Sequence, residues 1–280
     1  MNSPLVPFTL ALYAASCALY LAQLAGGTAA ARLARPARWL LIAAFASHMG
    51  DIGHSCVAGD HPFRNAREAI SFFAWLSVGA YLFVTIKQAL PLAGALIVPV
   101  ALVLDIAAHV GTTPATPTHT GSVLATVHIG LAMLGITAFA VASADAAVYL
   151  YAETQLKARR GQPAQFGKSS LPPLEVLDRF NRRAIQLGFP LFTVAMITGA
   201  VWQGQLPSIG VDEGMLRFLR PQYAMATVAW LLYALLILAR FLAGWRGRRA
   251  ALLTLGGFAA SLSVLGIYYV RDLMAKGGGA

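Results

Sequence analysis

Residues 92–110 read LAGALIVPVALVLDIAAHV, a run with a single charged residue, Asp105. A bilayer core of about 30 Å is crossed by about 20 apolar residues in helical form, so this stretch predicts a membrane-spanning helix. Working outward, seven more stretches have the same character: roughly 6–25, 39–58, 68–87, 122–152, 185–205, 222–243 and 251–271. Together they predict an all-α fold, a polytopic eight-helix transmembrane bundle in which residues 1–280 form one integral membrane domain. Pro99 and Pro190 fall inside predicted helices, where neighbouring helices tolerate a kink.

Composition agrees. Charged residues are only 11% of the chain, against about 25% in a soluble domain that must solvate its whole surface. Cys17 and Cys56 are too few for a disulfide framework, and no Cys-x-x-Cys-His is present for covalent haem attachment. The start, Met1-Asn2-Ser3-Pro4, has no basic n-region, so the first apolar run reads as a retained helix and not a cleaved signal.

The net charge of +10 is explained by where the charges lie. Lys and Arg concentrate on the cytoplasmic side of membrane proteins. With the 26–38 loop placed inside, 15 of the 21 basic residues fall on inner loops, from Arg32, Arg35 and Arg38 through Lys157 and Arg179 to Arg246 and Arg249. Six remain outside: Arg64, Arg67, Arg217, Arg220, Arg271 and Lys276. This predicts a multi-pass protein of a bacterial inner membrane with both termini outside. The basic face then meets anionic membrane lipid, and the arrangement argues against nucleic acid as a partner. The longest inner connection, 153–184, ends with Leu174, Leu177 and Phe180 at helical spacing, which predicts a short helix on the inner interface.

All six histidines (His48, His54, His61, His109, His119 and His128) map to the outer half or the outer loops. His54 and His109 fall near the outer ends of helices two and four, and His128 in the first turns of helix five. Neutral imidazole ligates haem iron well, and two on facing helices make a bis-histidine site. Each could equally bond a neighbouring carbonyl or water. Asp51, Asp105 and Asp145 are the intramembrane acids, expensive enough at that depth to require a partner or a cavity. Asp51 lies three residues from both His48 and His54, and Asp105 four before His109, spacings that put carboxylate and imidazole on neighbouring faces. A carboxylate there could orient a ligating ring, serve a proton path, or simply join helices. Asp145 has no obvious partner.

Several segments together resemble the cytochrome c assembly family of membrane proteins, which includes CcsA, CcmC and a HemX-like branch. Gly59-Asp60-His61-Pro62-Phe63-Arg64-Asn65-Ala66-Arg67-Glu68, followed by Phe72-Phe73-Ala74-Trp75, is similar to the family's Gly-x-x-Pro-x-x-Asn-x-x-Glu turn into an aromatic helix. Val127-His128-Ile129 stands where the family has a histidine at the outer start of a helix. The closest stretch is Leu177-Asp178-Arg179-Phe180-Asn181-Arg182-Arg183, then Gly188-Phe189-Pro190-Leu191 and Gly199-Ala200-Val201-Trp202. Pro221, Trp230, Arg240 and Gly244-Trp245-Arg246-Gly247 continue it.

The departures are as informative. Haem-delivering members carry a tryptophan-rich outer segment between the positions of Trp202 and Pro221, whereas residues 203–214 here contain no Trp. One family histidine falls on Leu238, and another falls in Tyr268–Met274, which has none. Only His128 carries over, which places the chain nearest the HemX-like branch.

The resemblance implies a haem-handling membrane protein, accessory or regulatory in haem and cytochrome c biogenesis, and not an enzyme. It implies haem b as cofactor, with His128 as first iron ligand, His54 as second, and His109 and His48 in reserve. Asp51 and Asp105 would orient these rings. Haem-biogenesis or cytochrome assembly proteins are the expected partners. Two other classes stay open: a b-type haem electron carrier coupled to quinol, and a scaffold holding tetrapyrrole-synthesis enzymes through the basic 153–184 loop.

Overall fold

A computed structural model describes residues 3–25, 27–57, 66–86, 90–109, 122–158, 173–204 and 220–277. Among them are eight α-helices and no strand: α1 (Val6–Ala22), α2 (Gly27–Val57), α3 (Ala66–Val84), α4 (Pro91–His109), α5 (Val123–Ala158), α6 (Leu174–Gly204), α7 (Pro221–Leu242) and α8 (Arg248–Gly277). A single 3-10 turn, Gln23–Ala25, follows α1. His61, His119, the Gly59–Asn65 turn and residues 205–214 lie outside the described residues.

Six helices, α3 to α8, are long and apolar enough to cross a membrane. The first, α1, is apolar but has 17 residues. In α2, Arg32, Arg35 and Arg38 load the first half while His48, Asp51 and His54 interrupt the second, so apolarity alone does not mark it as a span. The distribution of side chains is nevertheless that of a membrane protein. Val103, Leu187, Ile197 and Leu238 are exposed on the outside of the bundle, while His48, Asp105, Asp145, Asn181 and Thr254 are buried within it. Water would favour the reverse, and lipid favours this.

Two boundaries differ from expectation. The predicted 26–38 loop is helical, because α2 starts at Gly27 and runs through Pro36. An Ala-rich lead-in at 29–31 supplies strong helix formers ahead of the proline. Likewise, Leu174, Leu177 and Phe180 are helical as their spacing requires, but they form the first turns of α6 and not a separate interfacial helix. Leu177 is buried, which ties those turns to the bundle.

The core has two parts. Tyr13, Leu41, Val78 and Val98 join α1 to α4, with Ala144 and Val148 of α5 reaching in. Phe73, Phe139, Ile185, Tyr233 and Leu265 join α3 to α5, α6, α7 and α8. Phe139 is the hinge point of the second part, stacked on Tyr233 with centroids 3.6 Å apart and edge-on to Phe192 at 5.6 Å. Helix α5 therefore belongs to both.

Polar contacts fix which helix ends lie together. At one end Arg38 donates to the Thr85 carbonyl at 2.7 Å, Arg240 meets Asp178 at 3.3 Å, and Arg248 meets Glu153 at 3.8 Å. This basic end gathers the start of α2, α6 and α8 with the finish of α3, α5 and α7. The opposite end, which carries the histidines, gathers the finish of α2, α4 and α6 with the start of α5. The turn from α7 to α8 is made by Gly244 at φ 63° and Gly247 at φ 67°, a left-handed backbone that favours glycine over any side chain. That requirement accounts physically for both glycines of the Gly244-Trp245-Arg246-Gly247 segment.

Candidate functional site

Four of the six proposed site residues meet at the histidine end. His48 is fully buried. Its Nε2 lies 2.8 Å from Ser71 Oγ, and Ser71 in turn donates to Asp105 Oδ1 at 3.2 Å. A serine hydroxyl has one hydrogen, so with that hydrogen on Asp105 it accepts from His48 Nε2–H. Nδ1 of His48 is left to accept from the Tyr13 hydroxyl at 3.1 Å. The order Tyr13, His48, Ser71, Asp105 is thus a connected chain through α1, α2, α3 and α4. Direct approach of His48 Nε2 to Asp105 Oδ1 is 3.4 Å.

His109 closes the cluster. Its Nδ1–H donates to the Asp105 carbonyl one turn back at 2.8 Å, and its Nε2 stands 3.4 Å from Asp51 Oδ2. Asp51 Oδ1 has no hydrogen-bond partner among the described residues. The sequence spacings suggested pairing within each helix. In α4 that pairing holds, with His109 Nδ1 3.5 Å from Asp105 Oδ1, and the structure adds pairs across helices: Asp51 of α2 meets His109 of α4, and Asp105 of α4 meets His48 of α2. Helical spacing reports neighbours on one helix only, and interhelical geometry decides the rest.

Both ring nitrogens of His48 and of His109 are therefore engaged. Neither presents a lone pair to an incoming metal as placed. His54, in the last turn of α2, is exposed.

His128 stands apart, in a niche between α5 and α6. Its Nδ1 lies 2.6 Å from the Ala195 carbonyl, which can only accept, so Nδ1 carries the hydrogen. The ring stacks beside Trp202, with centroids 6.3 Å apart and planes 30° from parallel. Gly199 makes the niche: a Cβ there would come within 2.6 Å of the imidazole. Nε2 keeps its lone pair. A ring nitrogen held by a backbone carbonyl, with the other nitrogen basic and fixed in direction, is the arrangement found behind metal-bound histidines. In this respect His128 would fit haem iron as a ligand through Nε2. Helix α5 packs chiefly on α6, α8, α3 and α4, and α2 chiefly on α1 and α3, so packing does not join His128 to His54. Among the described residues no three His, Cys, Asp or Glu converge as a metal cluster.

Sequence reasoning passed over Tyr13 and Ser71. A single phenol or hydroxyl does not break an apolar run, and nothing in the period of α1 or α3 marks either as a network member.

A family model described as cytochrome C assembly protein matches residues 63–276. Among similar proteins, the cytochrome c biogenesis protein CcsA of Trieres chinensis is 26% identical over 248 residues, covering 76% of this chain and 77% of that one. The CcsA of Synechococcus sp. strain RCC307 is 28% identical over 236 residues, covering 75% and 74%. That of Trichormus variabilis is 38% identical over 104 residues, 37% of this chain and 27% of that one. No solved structure matches significantly. With the model spanning the aromatic helix α3, the His128 niche and the glycine turn into α8, the chain belongs to the cytochrome c assembly protein family.

Proposed function

We propose that this protein handles haem b during the biogenesis of c-type cytochromes, as an accessory or regulatory component of the HemX-like kind and not as a ligating enzyme. The observation that carries the reading is the His128 niche. The imidazole is fixed by Ala195, flanked by Trp202 and accommodated by Gly199, with Nε2 available. His128, Gly199 and Trp202 belong to the stretches that resemble the family, and Ala195 lies between two of them. The names of the CcsA relatives supply the setting, cytochrome c biogenesis.

When bound, haem would supply the vinyl groups that c-type cytochromes join to their cysteine thiols. This chain's contribution is to bind and orient: His128 offers the iron ligand, Ala195 holds its tautomer, and Trp202 offers an aromatic face. His54 is the second ligand in this reading, since the rings of His48 and His109 are committed elsewhere. Asp51 and Asp105 then tie helices together at the histidine end. The tryptophan-free interval 203–214 argues for the accessory role. The basic excess argues for an inner-membrane protein with both termini outside, with α1 and α2 completing eight spans.

The test is an absorbance spectrum of the purified full-length protein with pyridine haemochrome analysis. A low-spin Soret band with a haem b haemochrome is expected, and His128→Ala should remove it. A colourless wild-type protein, purified from haem-replete cells, would overturn the reading.

A further inference from the structure

Asp145 of α5 is only 4% exposed, and neither of its carboxylate oxygens has a hydrogen-bond partner among the described residues. The Arg240 guanidinium and the Asn181 side chain line the same cleft, but neither Asp145 oxygen attains hydrogen-bonding geometry with them. An orphaned carboxylate at this depth costs several kcal/mol, and native proteins rarely leave one without a purpose.

Two cavities meet at this side chain. One, a small cavity of about 10 Å³, is walled mainly by apolar groups, among them Tyr81, Leu90, Ile97, Val148 and Phe180. The other, of about 10 Å³ as well, is lined by Tyr149, Asp178, Asn181, Arg240 and Gly247. The second leads to the basic end, where Arg240 and Asp178 are 10% and 20% exposed. Asp145 thus sits at the inner terminus of a polar cleft that opens on one side of the bundle.

The surrounding oxygens decide what the cleft takes. Asp178 Oδ1 is held by Arg240 at 3.3 Å. Asn181 Oδ1 accepts from Arg240 at 2.8 Å and from Thr254 at 3.4 Å. A hard metal cation gathers about six oxygens, whereas Asp178 Oδ1 and Asn181 Oδ1 are already taken up by Arg240. The guanidinium of Arg240 would also repel it. A proton needs only one lone pair.

We propose that Asp145 is a proton-binding site, loaded from the basic end through the cleft between Asp178 and Arg240. In loading, an O–H bond forms on the carboxylate as one breaks on hydronium from the bulk, and water is left behind. The charged groups facing it are Asp178 of α6 and Arg240 of α7, with the Tyr149 phenol on α5 and Arg182 and Arg246 acting on Arg240 from farther away. From the turn before α8 Gly247 lines the cleft and from α8 itself Ala251, and from α3 the titratable neighbour is Tyr81. Arg240 Nε has no hydrogen-bond partner among the described residues. An unloaded Asp145 therefore competes with Asp178 for the same guanidinium, and a loaded one releases it. The site is independent of haem and of the His128 niche.

The experiment uses full-length protein in detergent. Dicyclohexylcarbodiimide, an apolar reagent that attacks carboxyls only when they carry a proton, is added and adducts are mapped by mass spectrometry. In parallel the carboxylic-acid band is followed by infrared difference spectroscopy as pH is raised. Expected are an acid band that fades with rising pH and is missing in Asp145→Asn, an adduct on Asp145 that fades with it, and no protection by NaCl. Asp145→Glu keeps the acid on a longer stem and should restore a shifted band if the asparagine variant fails to fold. The infrared band decides where the reagent fails to enter. No titrating acid band assignable to Asp145 overturns the proposal, and protection by Na⁺ reassigns the site to a metal cation and overturns it equally.

Discussion

His48 of α2 and Asp105 of α4 meet at 3.4 Å, both withdrawn from the surface, and Ser71 of α3 hydrogen-bonds to each of them. Three helices are locked by one hydroxyl. Tyr13 adds a fourth through the other face of the imidazole.

Removing His48 or Asp105 should be costly and the losses should not add. His48→Ala strands the Tyr13 hydroxyl, and Asp105→Ala leaves the Ser71 hydroxyl without its acceptor, each at about 1–3 kcal/mol per buried group left unpaired. The double variant should lose less than the sum, with a coupling energy of about 0.5–3 kcal/mol. Unfolding in mixed detergent micelles measures all three. Strict additivity would mean that the two residues do not share a network.

Gly199→Ala should act on the His128 ring without touching its chemistry. The added methyl would sit 2.6 Å from the imidazole, so the ring or α6 must shift. Overpacking of this kind costs about 1–3 kcal/mol. The expected result is a perturbed or lost haem spectrum with His128 still present, read by absorbance and by the loss of the Ala195 hydrogen bond. An unchanged spectrum would detach the niche from haem binding.

Topology is open to direct chemical labelling. With Cys17 and Cys56 replaced by serine, Gln162→Cys should resist an impermeant thiol reagent in intact cells and Gly210→Cys should react. The opposite pattern would turn the bundle over and move the histidine end to the cytoplasmic side.

Expressed as the sole assembly component beside a c-type reporter, in a strain lacking its own system, the chain should yield no covalently haem-stained reporter. Presentation of haem to paired thiols asks for a platform and two flanking ligands. Residues 203–214 contain no Trp, and Leu238 stands where the family has a histidine. Accumulation of stained reporter would show that the missing segment is dispensable.

Apolar run length made the six long spans legible, since length and composition are properties of the sequence itself. The start of α2 was not, because Arg32, Arg35, Arg38 and Pro36 have the composition of a loop, and only packing on α1 decides otherwise. The acids and histidines of the site were legible as expensive residues in search of partners. The Asp105–His109 pair within α4 was legible as well, but the pairing across helices was not, because Asp51 and His109 lie on different helices. For Asp145 the sequence offered no partner, and among the described residues neither oxygen has a hydrogen-bond partner. His128 could be named from its position in the family pattern, but its tautomer needed the Ala195 carbonyl of a helix far along the chain.

The polar chain from Tyr13 to His109 is drawn wholly from α1, α2, α3 and α4. Synthesis proceeds from the N-terminus, so every member of it has been made before α5 begins. The nascent half-protein can satisfy its most costly side chains by itself while still beside the insertion machinery. Asp145 is different, because the groups that line its cleft arrive with α6, α7 and α8. The order of the genetic message thus divides assembly into a first half that seals its own polar groups and a second that must wait for its last helices.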